Sequence, residues 1–253
     1  MRHLLVVNPN TSASVSELLQ AHVQAASGPQ VRVRTVTARF GAPYISDEAS
    51  YAVAGHATLD AWAAALGGSE GAPPEAPGAV LIGCFGDPGL LALRESSPVP
   101  VTGLAEAAFI AAARHGRFAI VTGGERWGPM LERLAQALGH APLLAGIRTV
   151  TPTGAQLAAD PAAARALLGQ ACRDAACQWD VQAVILGGAG LAGMAAAIQP
   201  EVEVPVIDSV LAGARWALSA QAPPARRGAP GFEVAWFNVS PELAALGTPG
   251  TRP

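Results

Sequence analysis

One block of this sequence occurs twice. Gly83-Cys84-Phe85-Gly86-Asp87-Pro88-Gly89-Leu90 returns as Gly187-Gly188-Ala189-Gly190-Leu191-Ala192-Gly193-Met194. Each copy follows an apolar run of the kind that forms a buried strand of a parallel sheet. Val99-Pro100-Val101 then lines up with Val204-Pro205-Val206 at nearly the same offset, and residues 4–9 line up more weakly with 118–123. Three matches in one order favour an internal duplication over a chance sharing of Gly and apolar residues. Two similar lobes would bring their strand-end turns face to face across a cleft. In open α/β sheets such strand ends are where ligands bind.

The rest of the chain fits this plan. Strands are expected at residues 3–8, 31–37, 79–83, 99–102, 118–122, 143–150, 181–186 and 204–207. Helices are expected between them, with a restart at Asp160-Pro161. Asp87 followed by Pro88 reads as the N-cap and first position of a helix. The Gly- and Pro-rich stretch 67–78 reads as a surface loop and 222–230 as a linker. Residues 232–239 fit either an edge strand or a packed arm. Strands alternating with helices at this spacing predict a parallel, doubly wound α/β protein. The expected partition is residues 1–102 plus 208–253 in one lobe and 103–207 in the other.

Composition removes several functions. All 16 basic residues are arginine, and the chain has no lysine. That excludes a Schiff-base lysine for pyridoxal phosphate and a Walker A phosphate loop. A net charge of −3 gives no basic field for nucleic acid or an anionic membrane. No apolar run approaches the roughly 18 residues of a membrane span. Three cysteines and no signal peptide predict a cytoplasmic protein.

Cys84 stands at the end of its strand. Turn N–H groups and a nearby helix N-terminus would favour its thiolate. The bland alternative is a small apolar residue closing a strand. Asp208, at the end of the last strand, is either a helix N-cap or a proton carrier. Gly188 to Gly193 with Asp208 formally matches the dinucleotide fingerprint, but late in the chain and with a twin that breaks the pattern. Cys172 and Cys177 lie on a predicted helix pointing apart and read as core. The five histidines are scattered, and none pairs with a carboxylate at metal-ligand spacing. Only His56 is a candidate neighbour of the cleft. Tyr44 and Ser46 lie in a loop that could border it, and Arg126 could steer an anion; packing and solvation are the default for all three.

The blocks Val7-Asn8-Pro9-Asn10-Thr11, Cys84 to Leu90, Val121-Thr122, Leu186 to Leu191 and Pro205-Val206-Ile207-Asp208 resemble the aspartate/glutamate/hydantoin racemase superfamily, closest to its hydantoin- and allantoin-racemase-like branch. The resemblance spans residues 3–220. It implies two Rossmann-like lobes, related by a pseudo-twofold duplication with the active site between them. It also implies proton transfer without metal or organic cofactor at a carbon beside a carbonyl, by two thiols on opposite faces. Cys84 matches the first thiol. Asn10, Thr11, Thr122 and Gly123, with the turns at Phe85-Gly86 and Gly188-Ala189-Gly190, would cradle a small carboxylate or cyclic amide. The second family block usually reads Leu-Gly-Cys-Ala-Gly, and here glycine stands at 188. A second hydroxyl is likewise common where Gly123 stands. Three outcomes remain open: a racemase or epimerase with another proton donor, such as Asp208 or water; a one-thiol decarboxylase, lyase or cis-trans isomerase; or an inactive small-ligand binder. A homo-oligomer is compatible with each.

Overall fold

The computed structural model describes residues 2–67, 76–152, 154–219 and 230–248. Most of the loop expected at 67–78 and of the linker expected at 222–230 lies outside these residues. Two four-stranded sheets carry the fold. The first contains β1 (Arg2–Asn8), β2 (Val31–Thr37), β3 (Ala79–Ile82) and β4 (Val101–Gly103), in the order β2-β1-β3-β4. The second contains β5 (Phe118–Gly123), β6 (Leu144–Val150), β7 (Ala183–Gly187) and β8 (Val206–Asp208), in the order β6-β5-β7-β8. Every strand pair is parallel. The two orders are the same order, so the duplication read from the sequence is one of topology.

The repeat extends to single hydrogen bonds. Val80 N–H donates to Pro100 O at 2.9 Å, and Val184 N–H donates to Pro205 O at 2.9 Å. Gly78 N–H donates to His3 O at 2.8 Å, and Gln182 N–H donates to Arg117 O at 2.8 Å. Central strands β3 and β7 are buried along their whole length, as their unbroken apolar runs require when helices cover both faces.

Helix α1 (Ala13–Ser27) covers the first sheet and is capped by Ser12. Helix α2 (Glu48–Leu66) begins with a reciprocal capping box between Asp47 and Ser50. Next come α3 (Leu90–Ser96), α4 (Leu104–Ala113), α5 (Trp127–Ala137), α6 (Gly154–Ala159), α7 (Pro161–Trp179), α8 (Met194–Ile198) and α9 (Ser209–Ala217). Asp160 caps α7 as expected from Asp160-Pro161. Helices α4 and α9 follow the last strand of each sheet, pack on one another and touch strands of both sheets. They join the halves through a continuous core that includes Leu104, Phe109, Phe118, Ile120 and Val210.

Two expectations are corrected and one open alternative is decided. Helix α3 begins at Leu90, not Pro88, because Gly89 takes the N-cap place with φ 81° and Asp87 itself is left-handed at φ 52°. The strands expected at 99–102 and 204–207 are displaced to β4 and β8, since Pro100 and Pro205 have no N–H for the ladder and only accept. Over its described residues the tail is a packed arm with no strand. It ends in α10 (Pro241–Ala245), whose Leu243 is buried in the cluster containing Trp62. Phe232 meets Trp62 edge-on at 6.4 Å. Arg39 ties the arm down, reaching Asp60 at 2.8 Å and Glu242 at 2.9 Å. Among the described residues no helix is long and apolar enough to cross a membrane.

Candidate active site

The carboxyl ends of β1, β3, β5 and β7 open on one cavity of about 270 Å³. The first half contributes Asn10, Ser12, Ser14, Tyr44 and Cys84; the second contributes Thr122, Gly123, Trp127 and the turn from Gly187 to Leu191. Val15, Leu18, Ile45 and Phe85 supply apolar wall, and among the described residues no charged side chain lines the space.

The polar groups are held by neighbours. Asn10 Oδ1 accepts from Asn8 Nδ2 at 3.0 Å and from Ser12 N–H at 2.9 Å, which leaves the Nδ2 donor of Asn10 for a ligand. Thr122 Oγ1 donates to Gly187 O at 2.8 Å, so this hydroxyl clamps two strand ends together. Ala189 and Gly190 open a single 3₁₀ turn over residues 189–191, whose first N–H groups have no partner within the turn.

Two aromatic rings lock the halves by crossing over. A Cβ at Gly187 would run into the Phe85 ring, and a Cβ at Gly86 would run into the Trp127 ring. Both glycines are therefore close-approach positions. Tyr51 steadies the crossing by donating its hydroxyl to Gly86 O at 2.7 Å.

Cys84 lines the cavity but is only 8% exposed. Burial pushes its thiol well above the ordinary range, and the nearby Asp87 carboxylate pushes the same way. The expected bias toward thiolate is thus reversed. Backbone N–H groups were expected to provide it, but Gly86 N–H and Asp87 N–H both point at the Cys84 carbonyl, at 3.0 and 3.1 Å. Asp87 explains the rest. It does not cap α3; its carboxylate accepts from Ala105 N–H at 2.9 Å and Glu106 N–H at 2.8 Å, and so caps α4. Burial pushes its pKa up to about 7 against the pull of these N–H groups.

Position 188 differs from position 84 in its backbone as well. Gly188 has φ 146° and ψ 132°, a region closed in practice to residues with a side chain. A Cβ built there lies 3.3 Å from Leu191 Cγ.

Of the site residues read from the sequence, the structure brings Asn10, Cys84, Phe85, Thr122, Gly123, Gly188, Ala189 and Gly190 to the cavity wall. Thr11, Gly86 and Asp208 are not part of that wall. Thr11 holds the loop before α2 by donating its N–H to Ala42 O at 3.1 Å. Gly86 lies under Trp127. Asp208 caps α9, accepting from Val210 and Leu211 N–H, and also accepts from Gly193 N–H at 2.7 Å. It borders a different cavity, between α4, α8 and α9. Its proton-carrier candidacy therefore fails on position, and its capping reading holds. Arg126 is exposed and lies 3.7 Å from Asp47, and His56 sits against Phe40 at 4.9 Å. Cys172 is buried in the core of the second half, its thiol pushed up to about 12 by burial, while Cys177 is exposed. Among the described residues no three His, Cys, Asp or Glu side chains are grouped to hold a metal ion.

Tyr44 is a wall residue for which loop packing was the default reading, and Trp127 was not a candidate at all. Both lie in turns whose direction depends on tertiary contacts. The one available signal was their place just beyond Pro43 and after the Gly123-Gly124 turn.

Comparison with known proteins bears on this arrangement. The family model for Asp/Glu/Hydantoin racemase matches residues 4–217. A hydantoin racemase of Pseudomonas sp. (strain NS671) is 33% identical over 217 residues, covering 84% of this chain and 83% of the relative. A hydantoin racemase of Paenarthrobacter aurescens is 32% identical over 221 residues, covering 85% and 89%. The structure of allantoin racemase from Klebsiella pneumoniae superimposes with a TM-score of 0.84 at 28% identity, covering 98% of this chain and 99% of that one.

Proposed function

The chain belongs to the Asp/Glu/hydantoin racemase family, and on that premise we propose that it racemises a neutral hydantoin bearing an apolar substituent at the ring carbon beside the carbonyl. A racemase-type isomerase is the activity its relatives support. The observation that carries the substrate class is the cavity wall: a thiol and neutral donors, apolar side chains, and no charged group. A free amino acid brings two charges that such a wall would leave unpaired after desolvation. A hydantoin brings none, and its substituent can lie against Val15, Leu18, Ile45 and Trp127.

Cys84, which burial holds as the thiol at rest, first gives its own proton to solvent and then, as thiolate, takes the proton from the ring carbon. The electron pair moves onto the adjacent carbonyl oxygen as an enolate. Asn10 Nδ2 and the N–H groups of Ala189 and Gly190 stabilise that oxygen, in the manner of an oxyanion hole. Reprotonation on the opposite face inverts the centre. The second thiol of the family pattern is not available for this, and Gly188 therefore favours a second reading: thiol chemistry at one face only, as in a decarboxylase or lyase.

Each enantiomer of 5-isopropylhydantoin, incubated with enzyme in D₂O and followed by NMR and chiral chromatography, separates the readings. Racemisation with deuterium at the ring carbon is the expected result. Exchange with retained configuration supports one-sided chemistry. No exchange, with the compound bound, would leave a binding protein.

A further inference from the structure

Position 188 carries no proton, yet racemisation needs a donor on the face opposite Cys84. Among the wall residues, Thr122, Ser12 and Ser14 are alcohols, far weaker acids than a phenol, and the Thr122 hydroxyl already donates to Gly187 O at 2.8 Å. Ser12 and Ser14 pair with one another at 3.0 Å; they sit at the start of α1 in the first half, which also supplies Cys84. Asn10 and the Trp127 indole have N–H groups far too weakly acidic to give up a proton. Tyr44 is the remaining wall residue with a transferable proton, a phenol that ordinarily titrates near 10.

The loop ahead of α2 sends this side chain across the cavity. Thr11 N–H holds the loop at Ala42 O, and Ile45 is buried beside it. The hydroxyl thereby reaches the second half, donating to Gly123 O at the end of β5 at 3.3 Å, a long bond that a substrate enolate would replace. It also lies 3.1 Å from where a Cβ on Gly124 would stand. Strand β5 is the hydrogen-bonded neighbour of β7, with Thr122 in register with Gly187. The phenol thus stands over the strand end next to the turn where the second thiol is missing.

We propose that Tyr44 is the second proton carrier, working from the Gly123–Gly188 side of the cavity against Cys84 on the other side. The proposal rests on the racemase reading above. In one direction the Cys84 thiolate breaks the C–H bond and becomes a thiol. The enolate then takes the Tyr44 proton on its other face, leaving tyrosinate. In the reverse direction tyrosinate takes the proton from the opposite enantiomer and the thiol returns one. Charge and protons balance in each direction, and the thiol and tyrosinate return to thiolate and phenol by proton exchange with solvent before the same enantiomer reacts again.

The test compares wild type with Tyr44→Phe, which keeps the ring and its packing, on both enantiomers of 5-isopropylhydantoin in D₂O. The expected loss of racemisation is about 10²- to 10⁴-fold in both directions, the range for one general acid–base group. The diagnostic readout is asymmetric exchange. Tyr44→Phe should still exchange the enantiomer whose hydrogen faces Cys84, with configuration retained, and should no longer exchange the other. A merely structural Tyr44 would depress both exchanges together, and that result overturns the proposal. So does racemisation within threefold of wild type. Wild type that exchanges only with retention also overturns it while sparing the role of Cys84. Wild type inert toward both enantiomers overturns the racemase reading, and this proposal with it.

Discussion

The turn at residues 83–89 and the turn at 187–193 end on the same left-handed corner and differ in chemistry. Gly89 and Gly193 both take φ 81° at the N-cap of the next helix. Gly103 and Asp208 occupy the same place in the two halves, at the end of β4 and of β8. Asp208 caps α9 with its own carboxylate, bonding the second and third N–H groups beyond it. Gly103 has no side chain, and a Cβ there would run into the Asp87 carboxylate, which caps α4 through the second and third N–H groups beyond Gly103. One requirement, a carboxylate at each helix start, is met from two different strand ends. In the first half this plants a buried carboxyl group close to the thiol, and in the second the carboxylate stays outside the cavity. The duplicated scaffold thus kept its hydrogen bonds while its two halves became chemically unequal.

That inequality can be broken from either side. Cys84→Ala should have the largest effect, lowering hydantoin proton exchange at least about 10³-fold; exchange at wild-type rate by NMR in D₂O would remove the thiol from the reaction.

Asp87→Ala should come next. It strips two buried N–H groups of their acceptor and opens a hole, at a cost of about 2–4 kcal/mol in urea unfolding. Asp208→Ala, at a more accessible cap, should cost about 1–2 kcal/mol. Equal losses would mean that burial of the Asp87 carboxylate carries no weight.

The pH dependence sharpens the same contrast. The native pKa of Asp87, about 7, lies above the ordinary carboxylate value of about 3.9. Below about pH 4 both native and unfolded forms hold the proton. Between about pH 4 and 7 the unfolded chain ionises first, so this contribution to stability is lost as pH rises and is constant above. Wild type should therefore lose stability relative to Asp87→Asn across that window, and a flat difference would contradict the raised pKa.

An effect comparable to that of Asp208→Ala is expected at the turn without a thiol. Gly188→Ala should destabilise by about 1–3 kcal/mol, because φ 146° is closed to alanine. Gly188→Cys should carry the same strain and gain no racemisation rate; a rate increase would show that the turn relaxes to accept a side chain.

Much of the architecture was legible because it rests on local rules. Buried parallel strands leave apolar runs, Asp160-Pro161 starts a helix, and the glycine closing each repeated block, Gly89 and Gly193, encodes the same left-handed corner. Eight wall residues of the cavity followed from the strand ends and the family blocks. The misses were tertiary. Asp87-Pro88 carries every local mark of an N-cap, yet the carboxylate reaches a helix start further along the chain because Gly103 leaves it room. The thiol was expected to ionise from its local N–H groups, but burial decides its proton. Tyr44 and Trp127 enter the wall only because the halves close on each other, with Phe85 and Trp127 crossing over opposite glycines.

By itself the sequence determined the α/β duplication, the family, the lone thiol and the absence of its partner, since these are matters of residue identity and spacing. Tertiary structure decided which carboxylate caps which helix, that Asp208 stays out of the cavity, and which side chains complete its wall. Those outcomes depend on packing distances between segments far apart in the chain, and no local pattern encodes them.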